Sequence, residues 1–255
     1  AAIAALELAV GFAPSFAVAG LDLAEACRLK YTIGGDLSWA RRSETQARAV
    51  LASHDGLAYG HQVLASVLRR LGRDDDARAE LERAHALDPF AYDTMIRLGT
   101  IHEENNRPVE AEAAYREALR VRPDYWAALS YLGYFYLVQG AFDKARDQFE
   151  AITRPCPANF NALNNLGGAY FKLGDYGRAM AAFERSNTVK RNPDASSNLG
   201  VLYYYSGRYA DSVMANENAI GFGPSHYDYL IWGNLADAYR FTPGNEAKAA
   251  DAYLK

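Results

Sequence analysis

The chain has no concentration of positive charge. Its 27 Lys and Arg are outnumbered by 31 Asp and Glu, the net charge is −4, and no basic run exceeds Arg41-Arg42 or Arg69-Arg70. Binding a nucleic-acid backbone needs clustered cations that displace counterions, so no nucleic-acid partner is expected. Cysteine is nearly absent: Cys27 and Cys156 have neither CxxC spacing nor a neighbouring His, which excludes a zinc or redox motif and leaves two expected free thiols. A long hydrophobic run is missing too. The first twenty residues, "AAIAALELAVGFAPSFAVAG", are apolar but lack a basic start and carry Glu7 and Pro14. They read as an amphipathic helix and not as a leader or a span, so no membrane association and a cytoplasmic location are expected.

Catalytic signatures are lacking in the same way. There is no Gly-rich phosphate loop, nucleophile elbow or kinase signature. The stretch "IHEEN", Ile101 to Asn105, has Asn106 where a metalloprotease helix needs its second His, four residues after His102. The remaining histidines, His54, His61, His85 and His226, are scattered. Asp74-Asp75-Asp76 sits where carboxylates favour a helix start and lacks the alternating ligands of a calcium loop. No metal, no cofactor and no enzymatic activity are expected of this chain alone.

What is present is periodicity. Leu98-Gly99, Leu132-Gly133 and Leu166-Gly167 are spaced by 34 residues, and Leu199-Gly200 comes after a further 33. Leu64-Ala65, Leu23-Ala24 and Leu235-Ala236 extend the series with insertions. In the same phase come the small residues Ala77, Ala111, Ala145, Ala179, Ser212 and Ala249. Four residues later come Leu81, Tyr115, Phe149, Phe183 and Tyr253, then Ala84, Ala118, Ile152, Ser186 and Ala219. That i, i+4, i+7 stripe is the buried face of a helix. Gly72, Gly140, Gly174 and Gly207 mark a turn inside each repeat, and Pro14, Pro89, Pro123, Pro157 and Pro224 close it. A period in this range calls for stacked helical pairs.

The segment "WAALSYLGYFYLVQGAFDKARDQFEAITRPCP" resembles a tetratricopeptide repeat (TPR), with its L-G-x-x-Y, small-residue, aromatic, Ala-like and Pro columns. The resemblance covers the whole chain and implies an all-α, right-handed superhelical solenoid of helix-turn-helix repeats. We divide one solenoid, 1–255, into a second helix at 1–16, repeats 17–57, 58–91, 92–125, 126–159, 160–192 and 193–228, and an interrupted repeat at 229–255. Two local departures stand out: a long inter-helix segment, "YTIGGDLSWARR", in 17–57, and Asn216 in the aromatic column of 193–228. Interrupted repeats at both ends suggest a piece of a longer protein, with self-association through exposed ends as one expectation. The tandem is similar to arrays attached to bacterial signalling proteins, such as kinases and cyclases, and to glycosyltransferases.

In such an array the first helices line a concave groove. Positions two, six, nine and thirteen share one helix face. Asn165, Asn198 and Asn234 fall in a single column of it, flanked by Asn161, Asn164, Phe171, Lys172, Tyr204, Tyr205 and Arg240, with Tyr131 and Tyr134 one repeat earlier. A side-chain amide offers a donor and an acceptor that match a peptide unit, and a similar asparagine ladder is known in protein O-glycosyltransferase arrays. Two readings stay open: the amides grip an extended peptide, or they hydrogen-bond neighbouring backbone and hold repeats in register. The tyrosines are likewise open between recognition and packing between repeats. The cation-rich carboxylate clamp of chaperone-tail binders is not matched. The expected function is a protein-interaction module that binds an extended peptide or protein segment, with a self-association scaffold, or the regulatory domain of a signalling enzyme or glycosyltransferase, as alternatives.

Overall fold

The computed structural model describes residues 2–13, 16–223 and 228–255; Pro14, Pro224 and His226 lie outside them. Among the described residues there are fifteen α-helices and no strand. Helix α1 spans Ala2–Phe12, and α2 (Ala17–Gly34) with α3 (Leu37–Ser53) form the first pair. The next pairs are α4 (Ala58–Arg70) with α5 (Asp74–Leu87), α6 (Tyr92–Glu104) with α7 (Pro108–Val121), and α8 (Trp126–Val138) with α9 (Phe142–Thr153). Then come α10 (Phe160–Lys172) with α11 (Tyr176–Val189), α12 (Pro193–Tyr205) with α13 (Tyr209–Ile220), and α14 (Asp228–Arg240) with α15 (Glu246–Tyr253). Two compact units, Ala1–Ala128 and Leu129–Lys255, divide the chain.

Local chemistry sets the helix ends. Gly72, Gly140, Gly174 and Gly207 have φ of 73°, 74°, 77° and 74°, a left-handed conformation that costs an L side chain energy but glycine nothing. In 92–125 Asn106 takes that place at φ 55°, as the short amide side chain tolerates it best after glycine. Side chains of Asn159, Asp175 and Asn192 cap α10, α11 and α12, accepting from the backbone N–H groups of Ala162, Arg178 and Ala195. Pro108 and Pro193 open helices where a missing N–H costs nothing.

Packing within a pair depends on one contact. A β-carbon on Gly99 would lie 2.5 Å from the Tyr115 ring, one on Gly133 2.8 Å from Phe149, and one on Gly167 2.7 Å from Phe183. The ring of the second helix therefore rests on the bare backbone of the first, and all three rings are buried. The small column Ala77, Ala111, Ala145, Ala179 and Ser212 is buried with them, as close helix crossing requires.

Three local features differ from expectation or resolve it. "YTIGGDLSWARR" is not a long connection: Gly35, at φ 70°, ends α2, and Asp36 caps α3 by accepting from the Ser38 N–H. Both helices simply run longer. Tyr253 is not a core residue; it is 50% exposed, its hydroxyl donates to Asp237, and α15 packs on α14 through Ala249 and Ala252. Asn216 lies fully buried against Gly200 in place of an aromatic ring; its Nδ2 donates to the Ser212 carbonyl at 2.9 Å, while Oδ1 has no partner among the described residues.

The adjacent glycines of α10 test this packing. Gly167→Ala should destabilise by about 1–3 kcal/mol, because the methyl displaces Phe183. Gly168→Ala, where nothing lies within 4 Å, should stabilise by roughly 0.5–1 kcal/mol through helix propensity. Urea unfolding midpoints moving in opposite directions are the expected result.

Candidate functional site

Within Leu129–Lys255 each first helix uses its faces differently. The L-G-x-x-Y tyrosines turn towards the preceding repeat. Tyr170 donates to Glu150 at 2.6 Å, Tyr203 to Glu184 at 2.7 Å and Tyr239 to Glu217 at 2.5 Å. Each acceptor sits on the second helix of the repeat before. Cations cover these three rings and that of Tyr136: Arg178 lies 4.8 Å from the centre of Tyr170, Arg208 4.2 Å from Tyr203, Lys248 5.5 Å from Tyr239 and Lys144 5.1 Å from Tyr136. Burial first, then the hydrogen bond to Glu184 and its charge, push the Tyr203 phenol up to about 12; Tyr239, against Glu217, is pushed up to about 12 in the same way.

The asparagine column has no such partners. Asn165, Asn198 and Asn234 stand on α10, α12 and α14, half-buried or exposed, and none makes a side-chain hydrogen bond among the described residues. Asn161 is exposed on the first turn of α10. Asn164 is half-buried, and its Oδ1 is shut from solvent with no partner among the described residues. A buried acceptor left unpaired costs free energy that a bound donor would recover.

The aromatic residues separate into two groups. Tyr204 packs against Tyr205, Tyr209 and Phe241 at centroid distances of 5.6, 5.6 and 5.9 Å, and Tyr209 stacks on Phe241 at 4.9 Å. This cluster joins repeat 193–228 to the end of α14, so much of the Tyr204 ring is occupied by packing. Tyr205 is 80% exposed, and Tyr131 and Tyr134 are exposed on α8. Lys172 and Arg240 are exposed in the last turns of α10 and α14. Phe171 and Tyr205 line a cavity of about 640 Å³ together with Tyr176, Gly177, Met180, Leu202 and Ser206. Tyr176 and Met180 lie on the second helix α11, and Leu202 on the buried side of α12, so none of them shares the face that the column defines and periodicity does not single them out.

Among the described residues no group of three or more His, Cys, Asp or Glu is placed to hold a metal ion. Cys27 is buried and Cys156 exposed, both as free thiols. No helix among the described residues is long and apolar enough to cross a membrane.

Tetratricopeptide-repeat family models match residues 62–120, 96–160 and 160–193, a continuous stretch of more than half the chain. This chain belongs to the tetratricopeptide-repeat family. As a TPR array it is a protein-interaction scaffold. Human tetratricopeptide repeat protein 6 is 22% identical over 172 residues, 66% of this chain and 32% of that protein, so the TPR array spans about a third of its length. The solved structure of Pseudomonas aeruginosa PilF superposes with a TM-score of 0.66 at 19% identity, covering 79% of this chain and 89% of that one. YrrB, described as a TPR protein with an unusual peptide-binding site, gives a TM-score of 0.56 at 18% identity over 80% of this chain and 98% of its own.

The tyrosine–glutamate pairs give the array a testable alkaline limit. The Tyr203 phenol titrates higher folded than its ordinary value of 10.0, so its contribution is complete below pH ~10 and is lost as pH rises through about 12. Tyr203→Phe should cost roughly 1 kcal/mol at neutral pH and flatten the fall in stability across that window. Urea unfolding measured against pH reads both effects.

Proposed function

We propose that Leu129–Lys255 binds an extended segment of a protein partner, with Asn165, Asn198 and Asn234 hydrogen-bonding its backbone. The observation that carries this reading is the unsatisfied amide column: three asparagines on consecutive first helices, none hydrogen-bonded among the described residues. Neighbouring packed helices lie about 8–10 Å apart and an extended peptide advances about 3.3 Å per residue, so the ladder meets roughly every third peptide unit. The register role falls instead to Tyr170, Tyr203 and Tyr239, which already bridge successive repeats.

The cavity lined from α10, α11 and α12 supplies the apolar part of recognition. Phe171, Tyr176, Met180, Leu202 and Tyr205 surround space for one bulky side chain of the bound segment. Aromatic residues and methionine are the types that such surfaces favour. Backbone amides give affinity along the segment, and the cavity gives preference for one side chain in it. A peptide-binding site on the same fold, in YrrB, supports the class of ligand.

A peptide selected from a random library against the whole chain provides the test. Each single Asn→Ala change at 165, 198 or 234 should weaken binding by roughly 0.5–1.5 kcal/mol, because water partly re-satisfies the stranded peptide group. The unfolding midpoint should move less than it does for Tyr203→Phe. A triple Asn→Ala variant that keeps its affinity and loses stability would overturn the ladder in favour of the register role.

A further inference from the structure

The first helices of Ala1–Ala128 carry a different chemistry. Arg28 on α2, Ser66, Arg69 and Arg70 at the end of α4, and Arg97 on α6 line a cavity of about 370 Å³. Four guanidiniums around one cavity run against the chain's net charge of −4. Two of them are neutralised: Arg28 donates from Nε and Nη2 to Glu25 at 2.8 and 2.6 Å, and Arg69 pairs with Glu104. Arg70 has no ion-pair or hydrogen-bond partner among the described residues. Arg97 donates to Ser66 Oγ at 2.9 Å, a neutral acceptor whose own hydroxyl donates to the Gln62 carbonyl. Glu25, the carboxylate whose charge Arg97 feels, is already held by Arg28. A surplus of two positive charges therefore faces the cavity.

We propose that this cavity is a binding site for a phosphoryl dianion. Arginine forks present several N–H donors in the geometry that phosphate oxygens accept, and do so without the tight hydration of lysine. A phosphomonoester carries about −1.5 to −2 charges at neutral pH, matching the surplus, whereas one carboxylate leaves a guanidinium uncompensated. Two sources offer the same group: a phosphorylated serine or threonine on a peptide, and a free phosphate. All the residues involved lie in Ala1–Ala128, so the site is independent of the asparagine column.

The test titrates the whole chain at low salt with three peptides of one sequence, carrying phosphoserine, glutamate or serine at a central position, and separately with inorganic phosphate. The phosphoserine peptide should bind at least about tenfold tighter than the serine peptide, with glutamate between, as one or two charge-assisted hydrogen bonds imply. The double variant Arg70→Gln with Arg97→Gln, both exposed positions, should abolish that preference while circular dichroism and the unfolding midpoint stay unchanged. Arg185→Gln, an exposed arginine outside the cavity, should leave it intact. Binding by inorganic phosphate as tight as by the phosphopeptide assigns the site to small phosphates; markedly weaker binding assigns it to a phosphorylated chain. Equal affinity for the three peptides together with no phosphate binding, or a preference that survives the double substitution, would overturn the proposal.

Discussion

The architecture depends on the close approach of a glycine to an aromatic ring inside three consecutive helix pairs. Where Gly99, Gly133 and Gly167 meet Tyr115, Phe149 and Phe183, the space of a β-carbon is already filled by ring carbons. The ring can be large because the facing residue has no side chain, so one contact buries much apolar area and brings the helices together. It also fixes the rotation of the first helix about its axis. With the Leu-Gly face committed to its own pair, the tyrosine three residues later points to the repeat before, and the asparagine two residues before the glycine is left without a packing role. The three columns are thus consequences of one contact and the pitch of an α-helix.

In repeat 193–228 the ring is replaced, and the packing changes with it. Asn216 occupies the fully buried position opposite Gly200, with Ser212 one turn earlier donating to the Gly200 carbonyl at 2.7 Å. A polar pair thus substitutes for apolar contact, and the unmatched Oδ1 of Asn216 carries a desolvation cost that a phenyl ring would not. The aromatic cluster of Tyr204, Tyr209 and Phe241 lies at the turn end of this same repeat and ties it to α14. Apolar area missing from the centre of the pair is offset at its rim.

The fold was legible because its determinants recur at one spacing. Leu-Gly pairs, small residues, rings and turn glycines repeat in phase and point to an all-α array of paired helices, with the stretch near 31–42 the place where the pattern misled. There a left-handed Gly35 and the Asp36 cap do in two residues what looked like a longer connection. The partners of the columns were not legible in the same way. The Tyr–Glu bridges join residues 20, 19 and 22 apart on different helices, so neither residue's own helix periodicity reveals them. The asparagine column was visible, but whether its amides were already engaged required the positions of their neighbours. The arginine cavity draws on α2, α4 and α6, and the sequence shows only Arg69 and Arg70 side by side.

The two units bear unlike first-helix surfaces on the same scaffold. In Leu129–Lys255 the column itself is made of neutral amides, with tyrosine rings beside it and the charges of Lys172 and Arg240 only at the helix ends; amides discriminate little by charge and act at hydrogen-bond range. In Ala1–Ala128 the guanidiniums outnumber their paired carboxylates only around one cavity, and the attraction of such a charge extends over a Debye length of about 8–10 Å at physiological salt. A neutral ladder binds by matching the repeating backbone of a ligand and so tolerates many side chains; an arginine cavity selects by the charge of a single group. Because packing consumes the Leu, the small Gly or Ala and the residue three positions on in the first helices, the positions between them are free to vary in chemistry with little cost to the fold. That freedom lets one repeated backbone present two kinds of exposed chemistry, and it is why the periodic sequence that specifies the helices says so little about what each surface could bind.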